Sequence, residues 1–114
     1  MAQGDIYSID IGLYNSSQSV RIENDSIVIS AIVLFWTINR ENKRQIGGIG
    51  LHGRSNFRFF RKSTTNTLEK GLAEEIPVMK KLKLNAGEYL DFEALSDGSR
   101  DSAFLNAKIT LMEV

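Results

Sequence analysis

The chain has 114 residues, 42% of them hydrophobic and 25% charged, with 14 Lys and Arg balanced by 14 Asp and Glu; this is the size and composition of one globular domain able to fold around its own core. The absence of cysteine excludes disulfides, thiolate nucleophiles and thiolate metal sites, and a single histidine, His52, leaves too few ligands or bases for most small metal centres and catalytic triads. Composition therefore predicts a non-enzymatic protein with no cofactor and no metal.

The first residues, Met1-Ala2-Gln3-Gly4-Asp5, have no basic region and no apolar stretch behind them, so no signal peptide is expected and synthesis in a cytoplasm is the default. Tyr7, Ile9, Ile11 and Leu13 share one parity while Ser8, Asp10 and Gly12 hold the other, the period of a half-buried strand. Asn15-Ser16-Ser17-Gln18 reads as a polar turn, Val20 and Ile22 flank Arg21 in a second short strand, and Asn24-Asp25-Ser26 ends it.

The run from Ile27 to Ile38 is apolar on both parities. It is shorter than the roughly 20 residues of a membrane helix, which predicts no transmembrane segment, and it reads as a strand covered on both faces. With Ile29, Val33 and Phe35 turned into a sandwich, Val28, Ile32, Leu34 and Trp36 point outward and form a candidate oligomer interface. The alternative cover is the 63–77 segment of the same chain.

Residues 39–44 form a polar hairpin connection, and Gln45 to Leu51 resumes as a strand whose glycines suggest bulges. Gly48-Ile49-Gly50-Leu51-His52-Gly53 fits the G-x-G-x-x-G expression of dinucleotide sites, but Phe57-Arg58-Phe59-Phe60 after it has the pattern of a strand and not of a helix, so the glycines read as structural. In that next strand, Asn56 to Lys62, Phe57 and Phe59 lie on one face and Phe60 on the other, where it needs a cover. Leu68, Leu72 and Ile76, spaced by four behind Asn66, predict one short helix near residues 66–76, weakened by Gly71. Alternation returns through Leu82 and Leu84; Asn85-Ala86-Gly87 turns; Leu90, Phe92 and Ala94 point inward with Tyr89, Asp91 and Glu93 outside. Ala103, Leu105, Ala107, Ile109 and Leu111 keep one parity in a last strand. About eight short strands separated by turn formers predict a single all-β sandwich domain over 1–114, a sandwich or barrel without βαβ units.

Few constellations in the sequence carry chemistry. His52 has no second histidine or cysteine and no evident orienting partner, so it reads as a hydrogen-bonded loop residue. Asp91, Glu93, Asp97 and Asp101 offer carboxylates for calcium but lack the EF-hand spacing and read as a solvated face. Charge is uneven despite the zero balance. Between Arg40 and Leu68 the bases Arg40, Lys43, Arg44, Arg54, Arg58, Arg61 and Lys62 face one acid, Glu41, and make a candidate basic contact patch, while both flanking segments are acidic. Such asymmetry suits assembly of copies, basic region to acidic rim. Interleaved with Phe57, Phe59 and Phe60 it also fits single-stranded nucleic acid, although a pI near 6.6 opposes that use.

In the C-terminal third, Leu82-Lys83-Leu84-Asn85-Ala86-Gly87-Glu88-Tyr89-Leu90-Asp91-Phe92, then Asp97-Gly98-Ser99, then Ala103-Phe104-Leu105 and Ile109-Thr110-Leu111 resemble the closing strands of trimeric jelly rolls. These are the tumour-necrosis-factor and complement-like superfamily and the jelly rolls of bacteriophage virions. The resemblance implies an antiparallel jelly-roll-like sandwich, a homotrimer, and a binding or structural role. The small size and absent cysteines suit the phage version, which implies a virion component such as a capsid decoration or accessory protein with other virion proteins as partners. A carbohydrate-binding module is the alternative, with Trp36, Tyr89 or His52 on a glycan and Asp91, Asp97 and Asp101 holding an ion or hydroxyl groups. A single-strand nucleic-acid binder using Arg54, Phe57, Arg58 and Phe60 is the third.

Overall fold

The computed structural model describes residues 4–38, 40–41, 43–53, 58–64, 68–69, 74–75 and 82–114. Ten strands occur among them: β1 (Ile6–Tyr14), β2 (Ser16–Arg21), β3 (Ser26–Ile38), β4 (Gln45–Leu51), β5 (Arg58–Thr64), β6 (Leu68–Glu69), β7 (Glu74–Glu75), β8 (Lys83–Leu84), β9 (Tyr89–Ser96) and β10 (Ser102–Glu113). They form two antiparallel sheets. One has the order β1-β10-β3, with β6, β7 and β8 pairing in succession along the far side of β3; the other has the order β2-β9-β4-β5. With β6 to β8 counted as one interrupted position, each sheet is four strands wide, and the order is that of a jelly roll.

The alternation of apolar residues explains the burial. Ile9, Ile11 and Leu13 of β1, Leu90, Phe92 and Ala94 of β9, and Ala103, Leu105, Ala107, Ile109 and Leu111 of β10 all face the space between the sheets and are buried. Ile22, Val33, Phe35, Ile49, Leu51 and Leu84 complete that core, and Phe60 packs half-buried against it, which supplies the cover its sequence position requires. Gly47 of β4 is needed there, because a Cβ on it would overlap the ring of Phe35.

β1 passes to β2 through a single residue. Asn15 has φ 46°, a left-handed conformation that asparagine tolerates better than most residues. Its side chain fixes the corner: Nδ2 donates to the Asp101 carbonyl at 3.2 Å and Oδ1 accepts from the Ala103 amide at 2.7 Å. The polar turn expected over Asn15 to Gln18 is thus confined to Asn15, with β2 already begun at Ser16.

Two expectations change. The helix near 66–76 is replaced, where the segment is described, by β6 and β7, and no helix occurs among the described residues. Those strands lie beside β3 as an edge and do not fold over its face. The parity of β3 also changes within the strand. The pairing of β3 with β10 slips between Thr110 and Leu111, leaving Ile29 as the extra residue of a β-bulge. The slip turns Val28 into the core, 5% exposed, and Ile29 outward, 42% exposed. Val28 therefore leaves the candidate interface, and Ile29, assigned to the sandwich by strict alternation, joins the outer face. Among the described residues no helix is long and apolar enough to cross a membrane.

Candidate functional site

Each sheet has an outer face, and the two differ in chemistry. On the first sheet, register aligns outward residues of β1, β10 and β3 into rungs. Tyr14, Phe104 and Trp36 form one rung, Gly12, Asn106 and Leu34 the next, and Asp10, Lys108 and Ile32 the one after. The aromatic rung is closely packed: Trp36 and Phe104 stack with centroids 4.7 Å apart and planes 2° from parallel, and Tyr14 meets Phe104 edge-on at 4.8 Å. Rings in such contact gain about 0.5–1.5 kcal/mol per pair beyond area burial, so the row is a fixed ridge. Beside it, the missing side chain of Gly12 opens a shallow hollow of about 410 Å³ lined by Asp10, Ile32, Asn106 and Lys108. Ile6, Ile29, Ile32 and Tyr14 of this face are exposed, and Leu34, Trp36 and Ile38 are half-buried.

Of the residues expected at this surface, Ile32, Leu34 and Trp36 are there, while Val28 is not. Sequence reading missed Tyr14 and Phe104. Both sit on the polar parity of strands whose other parity is the core, a usable signal only once β1 and β3 are known to flank β10.

The outer face of the second sheet is polar along β2 and the middle of β9, with Tyr89 and Leu95 exposed at the two ends of β9. Asp91 and Glu93 of β9 both point out, as their spacing predicts, and Ser17, Ser19 and Arg21 of β2 stand opposite the outward residues of β9. Asp91 bridges two other segments: Ser19 Oγ donates to its Oδ1 at 2.6 Å, and its Oδ2 lies 2.8 Å from His52 Nδ1, in the turn after β4. His52 therefore has an orienting partner after all, supplied by a strand 39 residues away that no local reading could foresee. With the carboxylate between hydroxyl and imidazole, this is no nucleophile-and-base arrangement, since a serine activated by histidine must touch the histidine. The glycine expression ends as expected of structural glycines: Gly48 and Gly50 lie in β4, and Gly53 takes φ 80° in the turn.

The remaining carboxylates scatter. Asp97 faces Arg44 at 3.7 Å, and Asp101 is buried, its Oδ1 accepting the Arg40 and Glu41 amides at 2.6 and 2.9 Å and its Oδ2 the Gln45 side-chain amide at 2.9 Å. Asp101 thus anchors the connection between β3 and β4. Among the described residues, no three His, Cys, Asp or Glu side chains gather as metal ligands would.

The described part of the basic stretch is divided between the β3–β4 connection and β5. Arg40, Lys43 and Arg44 are exposed in the β3–β4 connection, where Glu41 pairs with Arg100 at 3.1 Å. Arg58, Arg61 and Lys62 belong to the edge strand β5, with Arg61 exposed, and Arg54 lies outside the described residues, as does Phe57. Phe60 spends its ring on the core and is not offered to a nucleobase.

No family profile matches the chain, and no curated protein matches it. Among solved structures, a chain in the structure of infectious bursal disease virus, Gx strain, is similar over 96% of this chain at 12% identity and a TM-score of 0.36. This chain spans 29% of the length of that one.

Proposed function

We propose that the chain is a non-enzymatic structural protein that assembles through the outer face of β1, β10 and β3, as a virion component of the capsid-decoration or accessory kind. The exposed apolar surface of that face carries the reading. Ile6 is 64% exposed, Ile32 45% and Ile29 42%, spread along the face away from the packed aromatic ridge at its other end. An outer sheet face without a partner is ordinarily polar, and large apolar side chains exposed along one mark it as an association surface. The jelly-roll strand order and the C-terminal strand motif support placement among virion proteins, and the same motif supports a homotrimer.

Light scattering on the purified chain at low and moderate salt tests this. A three-fold mass that survives salt is expected, because burial of apolar area is not screened as ion pairs are. Ile32→Glu and Trp36→Glu should each give folded but smaller species, since either places a charge in the apolar contact. A monomer at both salts, or variants with unchanged mass, rejects assembly through this face. The virion placement is tested by binding to assembled shells, which should saturate at a lattice stoichiometry.

A further inference from the structure

The outer face of the second sheet holds a cluster that assembly through the first sheet leaves unused. Ser19 comes from β2, Asp91 and Tyr89 from β9, and His52 from the turn after β4, and three links lock them together. Asp91 holds Ser19 Oγ at 2.6 Å and His52 Nδ1 at 2.8 Å, while the His52 amide donates to the Tyr89 carbonyl at 3.0 Å. An ionised carboxylate can only accept, so Nδ1 carries the proton toward Asp91, and Nε2 is left as the imidazole's open hydrogen-bonding atom. The rings of His52 and Tyr89 meet at 69° with centroids 6.4 Å apart and form a corner, with Tyr89 41% exposed beside the polar residues of β2 and β9. Gly50, outward in β4 opposite Asp91, presents no side chain beside it.

The chemistry of this corner selects its ligand. Its polar atoms are mainly acceptors: the unused lone pairs of Asp91, the Ser19 oxygen whose proton is committed, and Nε2 of His52 in the neutral form of the ring. Arg21 of β2 is engaged by Glu23 at 2.6 Å, and Arg58 of β5 stands two strands from Asp91 in the same rung, across Gly50. A ligand must therefore bring several donors and no negative charge, since Asp91 and Glu93 repel anions. It must also offer an apolar face to the tyrosine ring. Hydroxyl groups around a C–H-faced ring meet all three conditions. We propose that Ser19, His52, Tyr89 and Asp91 form a subsite for a neutral saccharide, with the sugar's C–H face on Tyr89 and its hydroxyls on Asp91 and His52 Nε2. Trp36, Asp97 and Asp101, which sequence alone groups with these residues, lie elsewhere and take no part.

The test uses the full chain on an array of neutral glycans ending in glucose, galactose, mannose or N-acetylglucosamine, followed by NMR titration with the methyl glycoside of the terminal sugar bound. Binding is expected to move the ring resonances of Tyr89 and His52. Tyr89→Ala and Asp91→Asn should each weaken it at least tenfold with an unchanged circular dichroism spectrum, and Asp97→Asn, beyond the far end of β9, should leave it intact. The proposal is overturned if no neutral glycan binds at millimolar concentration, if only sialylated or sulfated glycans or cationic amines bind, or if Tyr89→Ala binds normally.

Discussion

At Thr37 and Gln45 the core holds two buried oxygens, Thr37 Oγ1 and Gln45 Oε1, that find no hydrogen-bond partner among the described residues. Gln45 cannot turn its amide over to relieve this, because Nε2 is committed to Asp101 at 2.9 Å and a carbonyl oxygen in its place would face a carboxylate. Thr37 has no such tie. An unpaired buried hydroxyl costs roughly 1–3 kcal/mol, and valine has nearly the same shape. Thr37→Val is therefore expected to stabilise the fold by about 1 kcal/mol, visible as a thermal midpoint several degrees higher. A lower midpoint would show that the hydroxyl makes a bond on which the fold depends. Asp101 shows the opposite condition within the same end of the sandwich, since both its oxygens are in use and its burial is thereby compensated.

At the scale of strands, close approach decides what β4 can carry. Replacing a strand glycine by alanine ordinarily gains about 0.5–1 kcal/mol through lost unfolded-state freedom. At Gly47 the new Cβ would run into the Phe35 ring, and overpacking of a core costs typically 1–3 kcal/mol, so the clash wins. Gly47→Ala should lower the urea midpoint; a raised midpoint would mean that Phe35 has room to move. Strands whose two parities differ were legible from sequence: β1, β9 and β10 bury the residues that alternation assigns. Where both parities are apolar, alternation cannot locate a bulge, and that is why Val28 and Ile29 exchange faces in β3. The helix expectation failed for a related reason. A spacing of four is even, so Leu68, Leu72 and Ile76 satisfy a strand as well as a helix. Along β3, four residues separate β6 from β7 where β3 advances by three, and seven separate β7 from β8 where β3 advances by four. The candidate surfaces were half legible. The apolar outward row of β3 shows in its own sequence, but the Tyr14–Phe104–Trp36 ridge and the Ser19–Asp91–His52 bridge exist only through strand order, which local pattern does not reveal.

For the molecule as a whole, the fold depends on contacts between the far ends of the chain. β10 lies between β1 and β3, and Ile6 pairs with Met112. Such non-local pairing places the loop-closure cost before the gain, and all-β topologies of this kind fold in milliseconds to seconds. Trp36 is the single tryptophan and stacks on Phe104 of β10, so its fluorescence follows the docking of β3 and β10. Stopped-flow refolding should show that slow range, and completion within about 100 μs would contradict the topology, because only local contacts form so fast.

The closure of β1 on β10 also gives the molecule two poles. Gly4 donates its amide to the Glu113 carbonyl at 2.8 Å and Val114 to that of Asp25 at 3.0 Å, so both described ends leave the sandwich side by side, while the Asn15 corner lies at the far end of β1. A cargo domain or a tether fused at either end would depart from one pole, leaving the pole that holds the Asn15 corner unobstructed. A short linker joining Val114 back to Gly4 would give a permuted chain whose new ends can be cut at that opposite pole, turning the direction of display around without disturbing either sheet face.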